Sequence, residues 1–275
     1  MSKAGSNRIR RTIAGLALAV AAFGLAACGS DDDEKNYVEQ PVEVLYNRAL
    51  DNLGAQEYKA AAKGFEEVDR QHPYSVWATK AQIMAAFAYY QSNKYDEAVI
   101  ALDRFIQLHP GHRDIPYAYY LKALCFYEQI SDVGRDQRMT QQALDALAEV
   151  VKRFPESPYA RDARLKVELA IDHLAGKEMA VGRYYQRNQQ YVGAINRYRV
   201  VIERYQTTTH VPEALHRLVE TYLSLGVKNE AKEAAAVLGF NFPGSEWYQD
   251  SYYLMTGEGT PAPSDEKRGW FFGLF

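Results

Sequence analysis

The chain has 275 residues, of which 47% are hydrophobic and 24% charged, with a formal net charge of −3 and two cysteines. A chain this acidic lacks the basic face needed to neutralise phosphates, which excludes nucleic acid as a partner. Two cysteines are too few for a disulfide framework or a cysteine zinc site.

From the start, Met1 to Arg11 is basic and polar, Thr12 to Gly24 is apolar, and Leu25-Ala26-Ala27-Cys28 follows. A basic region, a short apolar run and small residues before a cut make a secretory signal. The run is too short to cross a bilayer core of roughly 30 Å as a helix. Leu-Ala-Ala-Cys resembles the bacterial lipoprotein box. That resemblance implies a signal peptide over residues 1–27, a diacylglyceryl group on the Cys28 sulfur and an acylated new amino terminus. Two or more lipid chains anchor a protein stably to a membrane. No cofactor is expected beyond these covalent acyl chains on Cys28. Gly29 follows the cysteine, where Asp would favour the inner membrane by resemblance to enterobacterial sorting rules. The expected place is therefore the periplasmic face of the outer membrane. Cleavage removes Lys3, Arg8, Arg10 and Arg11 and no acids, which moves the net charge from −3 to −7. Lipidation of Cys28 leaves Cys125 without a disulfide partner. Its setting, Leu124-Cys125-Phe126, suits a small buried hydrophobe. Residues 28–40, with Asp31-Asp-Asp-Glu-Lys-Asn36, read as an acylated, charged tether.

Beyond the tether the chain repeats. Ala61, Ala98, Ala143 and Ala231 each stand 12 residues before a proline (Pro73, Pro110, Pro155 and Pro243). Ala194 fits the series, with Gln206 in place of the proline. The alanines are 37, 45, 51 and 37 residues apart. Four residues after the alanine come Phe65, Leu102, Leu147 and Tyr198, and seven after it Val68, Phe105, Val150 and Val201, all on one helical face. The proline ends that helix. An upstream helix carries a small residue and an aromatic: Ala86 with Tyr89, Ala123 with Phe126, Gly182 with Tyr185. The fifth unit departs, with Val219 before Tyr222, and the first, around Leu45 and Ala49, is weak, as capping repeats often are. This is the tetratricopeptide pattern. It predicts an all-α superhelical solenoid of five tetratricopeptide-like helix pairs over residues 41–255. Ser75, Asp114 and Ser157, the last followed by Pro158, are candidate helix starts. The 8 extra residues of the third unit fall near Ile130 to Gln137 as a loop, and the 14 extra of the fourth lengthen a helix from Ala160 towards Asn188. Residues 256–275 read as a linker ending in Gly269-Trp-Phe-Phe-Gly-Leu-Phe275. That aromatic end has three candidate uses: docking in a partner, dipping into a bilayer surface, or packing on the last repeat.

At the fourth repeat the pattern becomes more specific. Glu178-Met-Ala-Val-Gly-Arg183-Tyr184-Tyr185-Gln-Arg187, then Tyr191-Val-Gly-Ala194-Ile-Asn196-Arg197, resembles the BamD (ComL) family, the lipoproteins of the outer-membrane β-barrel assembly machine. Tyr222-Leu-Ser-Leu-Gly226 and Asn241-Phe-Pro-Gly-Ser245 continue the likeness. The resemblance covers nearly all of the mature chain. It implies a non-enzymatic scaffold that binds the POTRA domains of the barrel subunit BamA through its C-terminal repeats, beside the machine's other lipoproteins. It also implies contact of the N-terminal repeats with unfolded outer-membrane proteins. The aromatic tail is outside the family's pattern. A second reading is a periplasmic lipoprotein that organises peptidoglycan or cell-division complexes; the fourth-repeat motif and the five-unit length speak against it.

Two surfaces follow. The first helix of each pair should line the concave face, and there Tyr46, Phe87, Tyr90, Tyr117, Tyr120 and Tyr127 form a line. Tyrosine offers a large rigid ring with a polar tip, suited to an extended aromatic-rich peptide. The same positions also suit inter-repeat core. In the fourth repeat, Arg183, Arg187, Arg197, Arg199 and Arg204 make one helix pair basic within an acidic chain, and arginine forks match carboxylates. By resemblance Arg197, in the family's Asn-Arg motif, faces the barrel subunit; Arg183, Tyr184, Arg187, Asn196 and Arg204 share that expectation. The competing use is a solvated face with local pairs such as Arg199 with Glu203.

No reaction chemistry is expected. None of the six histidines forms a His-x-x-x-His pair with a glutamate on a helix, and the turn His109-Pro-Gly-His112 is a poor metal site. A nucleophile elbow, a glycine-rich phosphate loop and a Cys–His pairing are all absent from the sequence.

Overall fold

The computed structural model describes residues 39–258. The expected signal peptide, Cys28 and nearly all of its tether, and the aromatic tail beyond Glu258, lie outside the described residues.

The architecture is all-α: among the described residues there are eleven helices and no strand. They form five antiparallel pairs in chain order. These are α1 (Val42–Gly54) with α2 (Tyr58–Gln71), α3 (Val76–Gln91) with α4 (Tyr95–Leu108), and α5 (Ile115–Tyr127) with α6 (Arg138–Arg153). Then come α7 (Pro158–Arg187) with α8 (Tyr191–Arg204) and α9 (Val211–Ser224) with α10 (Lys228–Asn241). An eleventh helix, α11 (Glu246–Thr256), packs on α9 and α10. First helices of neighbouring pairs touch directly, α1 with α3, α3 with α5 and α5 with α7, and no two second helices touch to that extent. The first helices therefore run along the inner, concave side.

The periodic residues build the core. Ala61, Ala98, Ala143, Ala194 and Ala231 are fully buried, as are the large residues four and seven positions on, from Phe65 and Val68 to Tyr198 and Val201. Each large side chain so buried contributes roughly 1.5–3 kcal/mol. Ala86 and Ala123 are fully buried too, and Gly182 is buried, so both helices of these pairs present a small residue where they cross; in the fifth pair the buried Val219 takes that place. At Gly182 the approach is closest: a Cβ there would overlap the Tyr198 ring.

Helix ends follow local chemistry. His72, His109, Phe154 and Phe242 leave their helices with φ near −130° and ψ near +55°, outside the α region that a following proline disfavours. Tyr205, before Gln206, does the same at φ −124° and ψ 45°, so the missing proline changes nothing here. Ser75 caps α3, its hydroxyl accepting from the Ala78 amide at 3.0 Å. Ser157 and Asp114 make no side-chain cap. Ser245, which the sequence reading passed over, caps α11 through the Tyr248 amide at 3.1 Å. The turns inside pairs one, two, four and five each use one left-handed residue: Gln56, Asn93, Gln189 and Gly226.

The irregular middle has two parts. The inserted loop runs from Glu128 to Gln137, and α7 is 30 residues long, about 45 Å at 1.5 Å per residue. The amino-terminal half of α7 packs on α6 and its carboxyl-terminal half on α8.

Candidate functional site

Tyr46 corrects the expected aromatic line. It is only 8% exposed, with its ring edge-on to Phe65 at 5.4 Å and tilted on Trp77 at 4.8 Å. The aromatic of this first described helix turns inward into the first core and leaves the concave surface.

Phe87 and Tyr90 on α3, and Tyr117, Tyr120 and Tyr127 on α5, are half-buried. Each gives part of its ring to the junction between pairs and part to the concave side. The Tyr90 hydroxyl donates to Glu128 Oε1 at 3.3 Å, and the Tyr120 hydroxyl donates to Asp162. The Tyr120 ring stacks on Tyr159 at 5.2 Å, Tyr117 tilts on the same ring at 5.4 Å, and Lys166 Nζ lies 5.4 Å from the Tyr127 ring centre. Burial, with the Glu128 carboxylate beside it, pushes the Tyr90 hydroxyl up to about 12, and burial, followed by Tyr159, does the same for Tyr117. Burial and Asp162 also raise Tyr120. These phenols stay protonated, and those of Tyr90 and Tyr120 act as donors. Tyr159, Asp162, Lys166 and Leu169, all on α7, extend this surface, and the sequence reading missed them. The signal available was the helix periodicity of the lengthened segment, where Asp162, Lys166, Leu169 and His173 recur at offsets of three and four.

The fourth-repeat motif works largely inside the molecule. Arg197 pairs with Glu178 at 3.0 Å, and Arg183 Nη1 donates to both Glu213 carboxylate oxygens at 2.8 and 3.0 Å. The chain of contacts continues through Arg217, whose Nη1 donates to Glu220 at 2.8 Å and whose guanidinium lies 5.5 Å from the Trp247 ring. Gln186 joins it, donating to Glu220 at 3.0 Å and accepting from the buried Tyr198 hydroxyl at 2.7 Å. Burial alone would raise the Glu220 carboxyl, but His216 and Arg217 outweigh it and hold it down at about 2. This network ties α7, α8, α9 and α11 together. It leaves Tyr184, Arg187, Asn196 and Arg204 exposed. Tyr184 is 57% and Val192 66% exposed. Arg199 pairs with Glu203 at 3.1 Å.

His216 Nδ1 lies 2.8 Å from Ser251 Oγ, and its Nε2 lies 3.4 Å from Glu220. The row has the residue types of a hydrolase relay, but Ser251, on the inner face of α11, is wholly buried, so no substrate reaches its hydroxyl. The row instead fastens α11 to α9. Among the described residues no group of three or more His, Cys, Asp or Glu side chains could hold a metal ion. His109 bonds Gln82 at 2.9 Å and both it and His112 pack on Phe105, which gives the His109–His112 turn a structural use. Cys125 is buried, and burial pushes its thiol up to about 12. Among the described residues no helix is long and apolar enough to cross a membrane.

Residues 38–238 match the family model described as YfiO, outer membrane lipoprotein. The chain is 49% identical over 257 residues to the outer membrane protein assembly factor BamD of Caulobacter vibrioides, covering 92% of this chain and 84% of that one. It is 45% identical to BamD of Rickettsia prowazekii (87% and 95% covered) and 35% identical to that of Neisseria meningitidis (81% and 89%). Among solved structures it is similar to a thermophilic TPR protein of Thermus thermophilus, with 17% identity, a TM-score of 0.36, and 79% and 100% covered. With the family model matched across most of the helical body and close identity to relatives over nearly their whole lengths, the chain belongs to the BamD (YfiO) family of outer-membrane protein assembly factors.

Proposed function

We propose that the protein is a non-enzymatic scaffold of the β-barrel assembly machine. Acyl chains on Cys28 hold it to the periplasmic face of the outer membrane. The exposed surface of the fourth pair, with Tyr184, Arg187, Asn196 and Arg204, binds the POTRA region of a BamA-type barrel subunit. The machine's other lipoproteins bind nearby. Unfolded outer-membrane proteins lie along the concave aromatic surface of Phe87, Tyr90, Tyr117, Tyr120 and Tyr127.

The observation that carries this reading is the separation of the two surfaces. Half-buried rings gather on α3 and α5, while exposed apolar and polar side chains gather at the end of α7 and on α8. One body can then hold a substrate and a partner at once, and aromatic and arginine side chains are the types enriched at such interfaces. Affinity capture from detergent extracts tests the partner. Recovery of a POTRA-bearing barrel protein supports the reading, and recovery of cell-wall synthases alone defeats it. Crosslinking of an aromatic-rich substrate peptide to the wild type, lost in the Tyr90→Ala, Tyr120→Ala double variant with its helix content intact, tests the groove.

A further inference from the structure

At the carboxyl-terminal end of the tyrosine surface, a cleft of about 460 Å³ opens between α5, the inserted loop and α7. Its lining divides by chemistry. Tyr127, Ile130 and Leu169 make an apolar wall, and Leu169 is 58% exposed on an otherwise amphipathic helix. Glu128 and Asp172 bring carboxylates, and His173 closes the side.

The charges are unbalanced. Glu128 is exposed and receives only the neutral Tyr90 hydroxyl; no lysine or arginine among the described residues pairs with it. Asp172 receives the Thr209 amide at 3.3 Å and the Thr209 hydroxyl at 3.1 Å, and His210 Nε2 lies at 3.6 Å. The cations close by are committed elsewhere. Lys166 pairs with Asp162 at 2.9 Å, and Lys177 donates to the loop carbonyls of Gly134 and Arg135 at 3.1 and 3.3 Å. His173 Nε2 donates to the Ser131 carbonyl. An open cleft with an apolar wall and two carboxylates lacking an ammonium or guanidinium partner matches a long basic side chain, whose stem is apolar and whose head is charged.

We propose that this cleft is the seat for a lysine or arginine of the bound peptide. The stem lies on Ile130 and Leu169 and the head lies by Glu128 and Asp172, while the peptide's aromatic residues lie on Tyr120 and Tyr159. The inference rests on the peptide-groove reading above and adds a charge requirement to it. The preferred segment is aromatic with a basic residue at one end, and an acidic residue there is rejected.

Fluorescence anisotropy with labelled peptides tests this. One series has alternating aromatic residues with a single lysine at either end; matched series carry norleucine or glutamate at that place. The lysine peptide should bind about fivefold more tightly than the norleucine peptide, as a partly exposed charge pair allows. The glutamate peptide should bind more weakly than both. Glu128→Gln should erase the preference for lysine over norleucine. Leu169→Ser should weaken lysine and norleucine peptides alike. Equal affinity for lysine and norleucine peptides would overturn the basic seat and leave the aromatic groove standing. If none of the peptides binds the full chain, the groove falls and the seat falls with it.

Discussion

His173 Nε2 donates to the Ser131 carbonyl at 2.7 Å, joining the middle of α7 to the loop inserted after α5. The two departures from a regular repeat, 42 residues apart in sequence, are therefore one feature in space. A longer first helix leaves a gap beside its central turns, and the loop fills it. Lys177 reinforces the seal from the next turn. At Gly176 an added Cβ would come within 3.5 Å of Val133 and 3.3 Å of His210, so the loop and the entry to α9 meet over that glycine.

Loss of this bond should loosen the loop before the solenoid. In His173→Ala the Ser131 carbonyl loses its donor, a loss of about 1 kcal/mol. For a body of this size that lowers the melting temperature by roughly 2–4 °C. Amide exchange of residues 131–136 should quicken more than that of α6 or α8. Unchanged protection in the loop would show that it is held by its own turns instead.

Gly182 should tolerate no methyl group. The Tyr198 ring against it is fully buried, and its hydroxyl is fixed to Gln186. The ring has no flexible end that could yield. Gly182→Ala should destabilise by about 1–3 kcal/mol, the range for an overpacked core. Tyr198→Phe keeps the ring and removes only the donor, at about 1 kcal/mol. Urea unfolding gives both values, and a Gly182→Ala midpoint equal to the wild type would mean that α7 and α8 can separate freely.

The helix pairs were legible because their cause is local. Alanine at the crossing, large apolar residues four and seven positions on, and proline at the exit recur in one register, and the alanines with Phe65, Val68, Leu102, Phe105, Leu147, Val150, Tyr198 and Val201 are fully buried. Helix α11 was not legible as a separate element, because it carries neither the alanine nor the proline of the repeat; its packing depends on Ser251 reaching His216 and Tyr248 reaching Gly239. The arginines show another limit. Their abundance in the fourth repeat is plain, yet the partners of Arg183 and Arg197 lie 30 and 19 residues away on other helices. Only the packing of α7, α8 and α9 selects them. Tyr46 followed the first-helix pattern and still turned inward onto Phe65 and Trp77, contacts that a periodic rule does not select.

The Glu220 network predicts a pH dependence with a definite sign. The folded carboxyl is held at about 2 against an ordinary value of 4.5. Between these values the unfolded chain binds the proton and the folded chain does not. Stability is therefore fully present above 4.5 and is lost as pH falls towards 2. The full contribution is on the order of 3 kcal/mol. Glu220→Gln should be less stable at neutral pH and should lose less stability between pH 4.5 and pH 3 than the wild type. Urea midpoints measured across that window decide it, and parallel curves for the two proteins would remove Glu220 from the account.

The proposed partner surface makes Arg197 a divided case. Its side chain is 43% exposed, so it can meet a partner while paired with Glu178. A simple reversal, Arg197→Glu, would bring two acids together and confuse loss of the internal pair with loss of an interface. The exchange Glu178→Arg with Arg197→Glu separates them. It restores an ion pair across α7 and α8, worth about 0.2–1 kcal/mol at this exposure, and so should recover most of the melting temperature lost by either single change. If Arg197 also meets the barrel subunit, the exchanged protein should remain folded yet lose most of its capture of that subunit. Tyr184→Ala and Arg204→Glu, on exposed side chains outside the network, should weaken capture with little change in stability. Full capture by the exchanged protein, together with full capture by these two variants, would place the partner surface elsewhere on the solenoid.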